Sequence, residues 1–196
     1  DVIPRVKEQF KLLSAGRFEI TIDVLPQSQW WVINTDNPLR YGAQVNNFPE
    51  ILKIIEKNKP DFKFNVYDTY VFLTGNGEPG QAGLGSGQAV FGDEIRSTAE
   101  NFSAVLMAGG YNGTNIWVHE LGHSLGLGHS NFLRCDSGAN DGAWGETCKG
   151  VEYGGTIDVM GNIDTSSPLN TYHQWRMGLI DDSQIKQVWQ SEVVTL

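Results

Sequence analysis

Apolar residues at Val2, Val6, Phe10 and Leu13 recur every three to four positions, the spacing of one helical face, and Gly16 closes the run. The period then changes to two. Phe18, Ile20, Ile22 and Val24 alternate with polar residues, which predicts a strand with one face buried. Trp30-Trp31-Val32-Ile33 continues or pairs with it, ahead of the turn cluster Asn34 to Pro38. A second helix is expected over Asn47 to Asn58, with Pro49 in its first turn and Ile51, Leu52, Ile54 and Ile55 apolar. Tyr67 to Thr74 is dense in β-formers and precedes a flexible Gly-rich run. Phe102 to Ala108 predicts a strand buried on both faces, and Thr114 a cap for the helix after it. Ser167-Pro168 opens a last helix that Gly178 ends, while Gln184 to Thr195 alternates only loosely.

Helix, strand, helix, strands, helix and an irregular remainder describe an α/β (α+β) chain. At 196 residues it is expected to form one domain, 1–196, with 185–196 a candidate start of a further domain. Hydrophobic content of 40 % and charged content of 19 % fit a soluble globule. A net charge of −9 repels phosphate backbones and anionic lipid, which argues against nucleic-acid and membrane partners. No run approaches the ~18 to 20 apolar residues of a membrane span. Asp1 reads as the start of a mature or trimmed chain.

Chemistry concentrates in His119-Glu120-Leu121-Gly122-His123-Ser124-Leu125-Gly126-Leu127-Gly128-His129. Residues four apart share a helix face, so His119 and His123 can hold one metal ion. Glu120 follows the first ligand, within reach of a water on that metal. Gly126 suits a sharp helix exit that would swing His129 back as a third ligand. At this chain's own residue frequencies the pattern arises by chance about once in 10⁵ chains. Three neutral nitrogens and an open fourth position describe a catalytic Zn2+ site, and no residues point to structural Ca2+.

The motif is the long zinc signature of the metzincin metallopeptidases, which also carry a methionine turn downstream; Asp158-Val159-Met160-Gly161 supplies one, with Met160 in the special position. Within that group the chain resembles the gametolysin (autolysin) family of secreted peptidases. The likeness rests on His119 to Ser130, on Glu152-Tyr153-Gly154 before the turn, and on Leu169 to Gly178. Gly155 stands where that family is expected to have an aspartate, and His119 where some members have glutamine. The resemblance implies a mixed twisted sheet over the zinc helix, a loop-rich C-terminal half, and peptide held as an added strand along a sheet edge. That edge is assigned to about Ser86 to Phe91, with Ser86, Gly87, Gln88 and Ala89 contacting substrate. An ordinary loop and hairpin strand would read the same way.

Cys135 and Cys148 are the two cysteines, 13 apart in the loop after His129. A disulfide fits better than free thiols or extra ligands, and implies an oxidising, extracellular setting. The roughly 30 residues from His129 to Met160 read as a loop walling the pocket beside the zinc.

The expected activity is therefore secreted zinc-dependent endopeptidase. Zinc would lower a water's pKa to about 7, and Glu120 would take its proton and pass it to the leaving amine. Tyr153 and Tyr172 are candidate substrate contacts, and His173 reads as a core or surface histidine. Tyr153, Ile157 and Leu169, floored by Met160, suggest preference for an apolar residue after the cleaved bond, with acidic ones rejected. Extracellular matrix or cell-wall glycoprotein is the implied substrate class, acted on by a monomer. A zinc hydrolase of non-peptide amides or esters, and a silent binding module, are the rival readings; an intact Glu120 argues against the second.

Overall fold

The stripe Val6, Phe10 and Leu13 puts three buried side chains on the first helix, α1 (Ile3–Leu13), of the computed structural model. Pro4 stands in its first turn, where a missing N–H removes no helical hydrogen bond. Ala15 and Gly16, at φ of 51° and 77°, turn the chain out of it. The structure describes residues 2–29, 54–55, 57–62, 66–74, 88–91, 103–108, 113–135, 148–161, 168–186 and 193.

The alternation after α1 does not become a strand. Phe18, Ile20 and Ile22 lie partly buried against the core, yet 18–26 joins no ladder. Period two sets which side chains face inward; a strand also needs a neighbouring backbone in register about 4.8 Å away. Of the second expected helix, Ile54, Ile55, Lys57 and Asn58 are helical. Its start, and residues 30–33, lie outside the described residues.

Among the described residues three strands form a mixed sheet: β1 (Thr69–Thr74), β2 (Gln88–Phe91) and β3 (Ser103–Ala108), in the order β1-β3-β2. β1 runs parallel to β3, with Thr69 opposite Ser103 and Thr74 opposite Ala108. β2 runs antiparallel, with Gln88 opposite Leu106, and is an edge among the described strands. The helix α2 (Thr114–Ser124) packs on β2, β3 and α1. Gly113, extended at ψ 110°, takes the cap position, and Thr114 is already helical with no capping bond. Every residue from Ile116 to Gly122 is buried, so α2 is a core helix covered all round. Val6, Phe10 and Leu13 meet Ile116, Trp117, Val118 and Leu121 there, with Leu127, Val159, Met160 and Leu169 completing the cluster.

The described residues after His129 include a strand pair that the composition does not suggest. β4 (Phe132–Arg134) and β5 (Lys149–Val151) pair antiparallel, Phe132 opposite Val151 and Arg134 opposite Lys149. The Cys135–Cys148 disulfide joins the strands immediately beyond that last pair. All six strand residues are exposed. With no buried face the ribbon leaves no period-two signal, which is why the sequence reads as plain loop. The last helix, α3 (Thr171–Arg176), starts at Asn170, not Ser167: the Asn170 Oδ1 accepts the His173 N–H at 2.9 Å. Gly178, at φ 70°, closes it. No helix among the described residues is long and apolar enough to cross a membrane.

Candidate metal centre

Helix spacing and one tight exit bring three imidazoles together. His119 and His123 lie one turn apart on α2, their ring centroids 4.8 Å apart. Gly126, at φ 83°, lets the Leu127 N–H bond back to the Gly122 carbonyl at 3.1 Å. That returns His129 to the pair, its centroid 5.6 Å from His119 and 4.9 Å from His123. One ring nitrogen from each lies within 4.8 Å of the other two. The three residues could hold a metal ion.

The hydrogen bonds choose the tautomers. Nδ1 of His119 sits 2.8 Å from the Val159 carbonyl, and Nδ1 of His123 2.8 Å from the Leu127 carbonyl. Nδ1 of His129 is 2.8 Å from Oε1 of Glu152. A carbonyl or carboxylate oxygen can only accept here, so each Nδ1 carries the proton and each Nε2 keeps its lone pair. Burial lowers His119 to about 4, and burial also depresses His123, in both cases against the raising effect of the backbone bond. Their neutral form is therefore favoured at neutral pH, which is the form a metal needs. Three neutral imidazoles suit zinc among the common biological cations. Glu120, beside His119 on α2, is 7 % exposed.

A turn presses on α2 from below the pair. Met160 is fully buried, and a Cβ added to Gly122 would lie 2.5 Å from its sulfur. Only glycine lets the thioether come that close. Asp158 holds this turn from inside: its Oδ1 accepts the Met160 N–H at 2.7 Å, and its Oδ2 accepts the Asn170 N–H at 2.7 Å. The same Oδ2 is 2.7 Å from Nδ1 of His173, with both side chains buried. Burial alone would raise the Asp158 carboxyl, but His173 and the two amides outweigh it and hold it below the usual carboxylate range. The Ser130 N–H donates to the Met160 carbonyl at 2.8 Å, tying the turn to the segment that carries His129. Gly155 fits against Ser130 so closely that a side chain there would collide with its Oγ and carbonyl. An aspartate at 155 has no room in this arrangement.

The remaining residues singled out from sequence divide. Tyr153, at φ 58°, lays its ring 4.0 Å from that of His129, centroid to centroid. Tyr172 and His129 both line a cleft of about 290 Å³. Gln88 and Ala89 lie on the edge strand β2, whereas Ser86 and Gly87 fall outside the described residues. Leu169 is buried in the core and Ile157 is 70 % exposed, and neither lines the cleft beside His129. The apolar wall expected from these two is not formed there. Glu152, Asp158, His173 and Arg176 all lie in the stretches that carry the family likeness, but the sequence assigns none of them the contacts found here; Arg176 lines the cleft.

Residues 102–145 match the family model of Peptidase M66. The match covers β3, α2 and all three clustered histidines, and spans under a quarter of the chain. It supports a peptidase. No curated protein and no solved structure matches the chain.

Proposed function

We infer that the chain is a secreted zinc metalloendopeptidase of metzincin type, similar to the gametolysins. The observation that carries this is the set of three histidines, each with Nδ1 bonded to an acceptor, and with one ring nitrogen of each within 4.8 Å of the other two. A peptidase family match over the same residues supports it. When bound by His119, His123 and His129, zinc supplies a Lewis acid that polarises an amide carbonyl and acidifies water. Glu120 accepts a proton from the attacking water and returns it to the leaving amine nitrogen, breaking the C–N bond. Met160 and the Asp158–Gly161 turn hold the helix that presents both groups.

Substrate would lie along β2, taking main-chain hydrogen bonds from an edge that includes Gln88 and Ala89. The Cys135–Cys148 bridge fits an extracellular protein, and an extracellular glycoprotein is the proposed substrate class. Casein hydrolysis should occur, stop with a chelator, and return when zinc is added back. Hydrolysis that a chelator leaves untouched would overturn the zinc reading, and no hydrolysis by zinc-loaded protein would overturn the peptidase reading.

A further inference from the structure

The cleft beside His129 carries more chemistry than metal binding needs. Gly126, Gly128, Ser130, Tyr172 and Arg176 line it. Asn131 and Asn170 add polar groups. Arg176 is exposed, at the end of α3, and has no ion-pair partner among the described residues. The imidazoles lining the cleft are already hydrogen-bonded: His129 to Glu152, and His173 to Asp158. Among the described residues lining it, Arg176 is the one side chain with a fixed positive charge, in a chain whose net charge is −9.

We propose that this cleft is a subsite for a carboxylate of the substrate, with Arg176 as its counter-ion; this rests on the peptidase reading. The guanidinium fork pairs with a carboxylate through two parallel N–H···O bonds, a match that a neutral amide cannot reproduce. A volume of about 290 Å³ admits one amino-acid side chain or a chain terminus, not a bulky ligand. Because the surrounding chain repels anions, acceptance of an acidic residue must come from a local cation, and Arg176 is the one lining this cleft. The carboxylate belongs to an Asp or Glu side chain or to a free C-terminus. Its place next to His129 puts it near the cleaved bond. The expectation that acidic residues are rejected is reversed at this one position.

The test is a matched peptide series with Glu, Gln, Leu or Lys placed in turn at each position around the cleaved bond, with free and amidated C-termini. At one position the wild type should favour Glu over Gln by about tenfold or more in kcat/KM. Arg176→Gln should lose that ratio, Arg176→Lys should keep part of it, and Arg176→Glu should shift preference towards Lys. A preference that instead follows the free C-terminus identifies the terminus as the carboxylate. Binding to Glu120→Gln protein by fluorescence anisotropy should rank the peptides the same way without turnover. Casein separates the two readings. Casein hydrolysis with no acidic preference at any position, or a preference that survives Arg176→Gln, overturns the subsite alone. No casein hydrolysis by zinc-loaded wild type overturns the peptidase reading and the subsite with it.

Discussion

Two of the three clustered histidines are held by the fold's interior, and the third by its surface. His119 and His123 ride a helix buried on every side and donate to backbone carbonyls, of Val159 and Leu127, that cannot rotate away. His129 sits on a loop and donates to Glu152, whose side chain is 68 % exposed. A backbone acceptor inside the core costs ordering entropy once, when the protein folds. A surface carboxylate must be ordered for this bond alone, and water competes for it. The helix arm should therefore fail together with the fold, and the loop arm should fail by itself.

The largest expected effect breaks the helix arm from behind. Asp158→Ala leaves His173 buried without its carboxylate and strips the Asn170 and Met160 amides of their acceptor. A loss of about 3–5 kcal/mol in urea denaturation is expected. A change under about 1 kcal/mol would mean that the turn supporting Val159 does not depend on Asp158.

Acid should attack the same arm nearly as hard. The folded state holds His119 at about 4, against 6.5 unfolded, so its contribution is complete above pH 6.5 and is lost as pH falls towards 4. Over that window the metal-free protein should lose about 3 kcal/mol, the 2.5-unit shift at 1.36 kcal/mol per unit. His119→Gln should flatten the profile. An equally steep profile in that variant would assign the acid sensitivity elsewhere.

The smallest effect belongs to the loop arm. Glu152→Ala should weaken zinc binding about 10- to 100-fold in competition with a chelating dye, while the unfolding midpoint of metal-free protein barely moves. A large fall in that midpoint, or unchanged affinity, would erase the contrast between the arms.

The contrast also tracks what could be read from sequence. The helix arm is legible because a fixed spacing becomes a fixed geometry: four residues apart on α2 places His119 and His123 side by side, whatever surrounds them. The stripe of α1, the run that becomes β3 and the cysteine pair are legible for similar local reasons. Asp158 lies on a turn and His173 on α3, 15 residues apart, and nothing local announces their bond. The β4–β5 ribbon buries no face, so no period betrays it. Phe18 to Val24 shows the opposite failure, a clear period without a partner strand among the described residues. At α3 the Ser167-Pro168 signal points three residues too early, and the cap is Asn170, whose side chain accepts the His173 N–H.

In the proposed mechanism Glu120 moves the proton while the three histidines only hold the metal. Glu120→Gln keeps every proposed ligand and removes the base. Zinc content and casein turnover should be measured on the same preparation. The expected result is about one zinc per chain with activity reduced at least ~100-fold. One zinc per chain with activity within tenfold of wild type would contradict it.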